Sequence, residues 1–245
     1  MDVQAILFDV NGTLIEINTD DGADAIFRAI GHFLTYQGID LRRYQVRDLY
    51  FQIMKEQQQV STEKYPEFDA AAIWRKIVAG NMSDYTRMLP AAKLEQLPCV
   101  LAEMYRGISR RRLALYPRVK EVLDILKTEY KLAIVTDAQS CYARAELNKA
   151  GILDYFDPII VSGDFGYRKP DKRLFQSALD QIDVAPKNAI YIGNDMYRDI
   201  YGAGNAGMKT VMFNSDQGTK VYHDTKPDYD ISDYRELLNV LDITR

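Results

Sequence analysis

From Leu115 onward the chain alternates short, almost wholly apolar runs with segments of helical period, and this alternation restricts the fold more than any other feature. KLAIVTD, DPIIVSG, AIYIGND and KTVMF read as strands of a sheet covered on both faces, since a half-covered strand would alternate apolar with polar residues. Between them, PRVKEVLDILK places Val119, Val122, Leu123 and Leu126 on one helical face, and DKRLFQSALDQI does the same with Leu174, Phe175, Ala178 and Leu179. AILFDV near the N-terminus is a further strand of this kind. Such a pattern predicts an α/β fold with a doubly wound parallel sheet.

The stretch from Asn18 to Arg112 differs, showing helical periods only. Ala23, Ile26, Phe27, Ile30, Phe33 and Leu34 form the first, ended by Gly38; Val46, Leu49, Tyr50 and Ile53, then Ile73, Trp74 and Ile77, then Leu94, Leu97, Leu101 and Met104 follow. Four helices inserted after the first strand predict a separate bundle. The 245 residues then divide into an α/β core, residues 1–17 and 113–245, and a helical cap, residues 18–112, with hinges expected near Ile17 and Arg112.

Composition narrows the partners. With 47% hydrophobic and 27% charged residues the chain is ordinary globular material, and a net charge of -4 offers no footprint for nucleic acid or anionic lipid. MDVQAILFDV carries no basic leader, and its apolar run is too short for a signal or a membrane span, so a cytoplasmic location is expected. Cys99 and Cys141 lie far apart without a CxxC or a neighbouring His, and read as separate core thiols, not as a zinc site or a redox pair.

Polar residues gather where strands end: Asp9 after AILF, Thr136 and Asp137 after LAIV, Asn194 and Asp195 after AIYIG. Right-handed crossovers bring the carboxyl ends of parallel strands to one edge, so these groups converge. Asp9, Thr136, Lys169 and the Asp195/Asp199 pair, in that order, resemble the four motifs of the haloacid dehalogenase (HAD) superfamily. FDVNGTL is similar to motif I, IVTDAQS to motif II, GYRKPDKRLF to motif III and IGNDMYRDIYGAGNAGM to motif IV. The helical insert sits where subfamily I carries its C1 cap.

The resemblance implies a Rossmann-like core and an Mg2+-dependent phosphatase of a small phosphorylated metabolite, working through an aspartyl-phosphate. Asp9 would attack phosphorus and hold Mg2+ with its other oxygen. Lys169 would neutralise Asp9 and the phosphate, Thr136 with Asp137 and the amides after Asp9 would hold phosphate oxygens, and Asp199 would orient Lys169 or a metal-bound water. In motif IV the family's Asp most often follows the Gly directly, and here Asn194 does. Either Asp195 is the metal ligand, as its charge favours, or Asn194 stands in that place.

Asn11 departs from the family more sharply. Phosphatases usually carry an Asp two residues after the nucleophile, which protonates the leaving alcohol; an amide has no such proton to transfer. Asn11 can still offer its backbone carbonyl to Mg2+ and a hydrogen bond to the leaving oxygen. His32 and His223, the only histidines, read as surface or core residues. Three readings stay open: a phosphatase whose leaving group needs little protonation, such as an acyl phosphate; a dehalogenase-like hydrolase forming an ester on Asp9; and a weakly active homologue that binds a phosphorylated ligand or a protein.

Two further patterns carry less. Gly202-Ala-Gly204-Asn-Ala-Gly207 spells the dinucleotide fingerprint, but it closes a helix before a strand, where backbone amides do not face a pyrophosphate. Arg110, Arg111 and Arg112 read as solvated surface beside the second crossing.

Overall fold

The computed structural model describes residues 2–243. Six parallel strands, β1 (Ala5–Phe8), β4 (Lys131–Thr136), β5 (Ile159–Val161), β6 (Ala189–Gly193), β7 (Lys209–Phe213) and β8 (Tyr229–Ile231), form one sheet in the order β5-β4-β1-β6-β7-β8. The chain builds outward from β1 to β5 on one side and then crosses to β6 on the other. Residues closing β1, β4 and β6 therefore flank the crevice at which such sheets bind ligands.

Side-chain alternation divides the core. Ile6, Phe8, Ile134, Ile190 and Ile192 face α6 (Val119–Leu126), α7 (Ser140–Lys149) and α10 (Tyr234–Val240). Ala5, Leu7, Ala133, Val135 and Tyr191 face α8 (Lys172–Ile182), which contributes Leu174, Phe175, Ala178, Leu179 and Ile182. Both layers exclude water, which is why the strands read as unbroken apolar runs. Each such buried aliphatic or aromatic side chain stabilises the fold by about 1.5–3 kcal/mol.

The inserted segment has an apolar centre of its own, in which Ile26, Phe27, Ile30, Tyr50, Trp74 and Leu101 pack together. Its helices are α1 (Asp24–Tyr36), α2 (Arg43–Val60), α3 (Ala70–Gly80), α5 (Ala91–Ser109) and a single turn, α4 (Asp84–Arg87), which the periodic pattern does not announce. Both crossings lie within an antiparallel ribbon of β2 (Ile15–Thr19) and β3 (Arg110–Leu115), with Ile17 opposite Leu113. No helix among the described residues is long and apolar enough to cross a membrane.

The bundle rests on the core through residues 61–69. Glu67 N–H donates to the Gly166 carbonyl (2.9 Å) and Arg168 N–H to that of Tyr65 (2.9 Å). Gln139, which precedes α7, accepts from Ala70 N–H and donates to the Phe68 carbonyl. One expectation is overturned: Cys99 is exposed, and its sulfur lies 3.4 Å from that of Cys141. Sequence separation hides the proximity because Cys99 lies on α5 of the bundle and Cys141 on α7 of the core.

Candidate active site

Lys169 organises the crevice. Its ammonium is buried and donates to Asp9 Oδ1 (2.7 Å), Asp199 Oδ1 (2.6 Å) and the Tyr191 hydroxyl (3.0 Å). Burial alone would push the Lys169 pKa down, but the Asp199 and Asp9 carboxylates outweigh it and raise the pKa, so the amine stays charged. Burial pushes the Asp199 carboxyl up, opposed by the same lysine. The lysine is held in place by its own backbone: its N–H donates to Asp137 Oδ1 (2.9 Å), and Asp171, two residues on, caps α8 by accepting from Arg173 N–H.

Asp9 closes β1 and offers its second oxygen to Thr13, whose hydroxyl lies 3.2 Å from Asp9 Oδ2 and 3.1 Å from Asn194 Oδ1. The chain can fold this tightly because Gly12 has φ +83°, and a Cβ there would sit 2.3 Å from the Asn194 amide nitrogen. Asp199 Oδ2 accepts from the N–H groups of Asn194 and Asp195, both at 3.0 Å. Gly193 permits that approach, since a Cβ would lie 2.3 Å from the Asp199 Cβ.

Asp9, Asn11, Asp137, Lys169, Asn194, Arg198, Asp199, Gln217 and Gly218 line a cavity of about 160 Å³. That is roughly the volume of five waters, suited to a phosphoryl-sized group. Thr136 is not part of this lining; its hydroxyl is buried and has no hydrogen-bond partner. The Asn11 side-chain oxygen is likewise buried without a partner. Neither histidine lines the cavity. Arg111 and Arg112 pair with Asp20 and Glu16 at the exposed ribbon.

The two motif IV candidates point in different directions. Asn194 lines the cavity, whereas Asp195 lines a neighbouring one. Asp195 accepts from the N–H groups of Tyr197, Arg198 and Thr219 and from the Arg198 guanidinium. It caps a π-helical turn, Met196–Tyr201, that runs into the short helix α9 (Gly202–Asn205). Burial would raise the Asp195 pKa, but those amides and Arg198 hold it down at about 2, below the ordinary 3.8. Its contribution to stability is therefore present above about pH 4 and fades as the pH falls toward 2. Asp195→Ala should lower stability at neutral pH by about 1–2 kcal/mol, read by urea unfolding; an unchanged midpoint would contradict the capping role.

Sequence inspection did not single out Arg198, Arg168, Thr13, Tyr191 or Gln217. Arg198 is held 2.9 Å from Asp195 and 4.0 Å from Asp137, where Arg168 also pairs. Its place three residues after Asp195 on a helical turn was the available signal. The second cavity, of about 320 Å³, shares Lys169 and Arg198 with the first and is completed by Lys64, Tyr65, Pro66, Arg168, Asp195, Tyr197 and Thr219.

The chain belongs to the haloacid dehalogenase-like hydrolase family, whose sequence profile matches residues 6–213. A glyceraldehyde 3-phosphate phosphatase of Pyrococcus furiosus is 34% identical over 125 residues, covering 50% of this chain and 52% of that protein. The chain thus spans about half the length of that relative. A pyrimidine 5′-nucleotidase, YjjG, of Escherichia coli K12 is 24% identical over 212 residues, 86% of this chain and 85% of its own. The crystal structure of a 2-haloacid dehalogenase from Pseudomonas syringae pv. Tomato superposes with a TM-score of 0.68 at 22% identity, covering 98% of each chain, a likeness of fold.

Proposed function

We propose that the protein hydrolyses a phosphate ester or acyl phosphate of a small metabolite through a covalent aspartyl-phosphate on Asp9. One observation carries the reading: a charged, fully enclosed lysine 2.7 Å from the Asp9 carboxylate at the wall of a phosphoryl-sized cavity. An anionic nucleophile meets an anionic phosphoryl group only where positive charge offsets their repulsion. Asp9 would attack phosphorus as the bond to the leaving oxygen breaks, and water would then release phosphate and restore the carboxylate. Lys169 neutralises the entering charge, Asp199 holds Lys169, and Arg198 faces the phosphoryl oxygens. Asp137 then acts mainly by fixing the Lys169 backbone and the two arginines.

The family's metal can be tested against the donors present. Among the described residues no group of three His, Cys, Asp or Glu side chains is arranged to hold a metal ion. The cavity does offer oxygen: Asp9, Asn11, whose backbone carbonyl would serve, and Asn194 all line it. Oxygen donors of this type fit Mg2+, with a single carboxylate supplying charge. Bound there, Mg2+ would draw charge from the phosphoryl oxygens. We assign the motif IV ligand to Asn194, because Asp195 is engaged elsewhere. Asn194→Asp should then tighten Mg2+ binding by about tenfold or more, read by calorimetry. If Asp195→Asn weakens binding more than Asn194→Ala does, the ligand is Asp195.

The neighbouring cavity would take the leaving group. Lys64, Arg168 and Arg198 suit a second anionic group, and Tyr65 and Tyr197 supply ring faces. A second reading, dehalogenase-like ester formation on Asp9, is favoured by the amides at both Asn11 and Asn194, since a halide leaves without a proton. The deciding experiment is a phosphate-release screen over monoesters, acyl phosphates and p-nitrophenyl phosphate, with and without Mg2+, beside a halide-release assay. Phosphate release supports the first reading, and halide release alone would replace it.

A further inference from the structure

Beyond the crevice, the bundle and the core meet along α5 and α7. Arg106 on α5 reaches Glu146 on α7 with two hydrogen bonds, at 2.6 and 3.0 Å, and its guanidinium lies over the Tyr142 ring. Two turns earlier on α5, Cys99 brings its sulfur to 3.4 Å from that of Cys141, which packs against the apolar centre of the bundle. A disulfide needs about 2.0 Å between sulfurs, so closure asks for a shift of about 1.4 Å. Cys141 stands four residues after Asp137, at the start of the helix whose approach segment, Gln139, grips the cap loop through Phe68 and Ala70.

We propose that Cys99 and Cys141 are a modification site, forming a reversible disulfide that ties the bundle to the core and holds the crevice closed. The oxidant is a low-molecular-weight disulfide. Cys99, exposed to solvent, attacks one of its sulfurs as a thiolate, forming a mixed disulfide and expelling one thiolate. Cys141 then loses its proton and attacks the Cys99 sulfur, expelling the second thiolate. The two protein thiols lose two electrons and two protons, and the oxidant becomes two thiols. Burial, with the hydrogen bond to Cys99, pushes the Cys141 thiol up to about 12, so the second step should quicken as pH rises.

The link acts on the cap because its two sulfurs belong to the two bodies that would part when the crevice opens. Its effect on turnover rests on the phosphatase reading; its formation and its effect on the cap do not. The full chain is treated with glutathione disulfide and mapped by non-reducing peptide mass spectrometry. Wild type is expected to yield a Cys99–Cys141 linked peptide, and Cys141→Ser a glutathione adduct on Cys99. Amide exchange of residues 61–69 should slow in the oxidised wild type only. Hydrolysis of p-nitrophenyl phosphate should fall by about tenfold, an ordinary size for coupling between sites, return on reduction, and not respond to oxidant in Cys99→Ser. Separate glutathione adducts on both cysteines would overturn the site. A linked peptide with unchanged exchange would overturn the lock, even if the protein proves not to be a phosphatase.

Discussion

Asp9→Asn is expected to lower turnover of every substrate by about 10⁴-fold or more, the scale on which removal of a nucleophile acts. Asp137 and Asp199, the other carboxylates at the cavity wall, cannot take over. Asp199 accepts from Lys169 and from two backbone amides, and Asp137 holds the Lys169 N–H and two arginines. The variant should fold, because Lys169 keeps its ion pair with Asp199. Circular dichroism and the thermal midpoint check folding, and kcat/KM for p-nitrophenyl phosphate reads the chemistry. A folded variant that turns over at the wild-type rate would remove the covalent mechanism.

The second large effect concerns the leaving group. Asn11 lines the cavity, and its side-chain oxygen is buried without a partner, so an acid placed there would displace no existing hydrogen bond of that oxygen. Asn11→Asp should raise hydrolysis of alkyl phosphates by roughly 10² or more, the lower end of what general acid catalysis contributes. Wild type should show a steep fall in log kcat/KM with leaving-group pKa, and the variant a shallower one. Glu67 of the cap offers no substitute: it is buried, accepts from Ser162 and does not line the cavity, and burial holds its pKa up. Parallel plots with no gain would mean that another group already supplies the proton or that the reaction is not phosphoryl transfer; halide release separates these two.

How much of this was legible in the chain follows from the range of the interactions. The strands β1, β4, β6 and β7 were readable because each is apolar along its length, a property that neighbours in sequence display by themselves. β8 was not readable, being a three-residue edge strand, Tyr229–Ile231, with an exposed Asp at its centre. The ribbon of β2 and β3 was not either, because its strands find each other only after the whole bundle has been inserted between them.

The sequence by itself determined the α/β core, the helical character of the insert, the position of Asp9 at a strand end and the presence of an amide at Asn11. Each is a matter of residue type and local period. Tertiary structure alone decided that Asn194 faces the cavity while Asp195 caps a helical turn, that Arg198 and Arg168 stand over Asp137, and that two thiols remote in sequence lie in contact. The physical reason is the same in each case. A side chain's direction is set by the hydrogen bonds and packing it makes with segments distant in the chain, and those partners exist only once the sheet has closed and the bundle has docked on it.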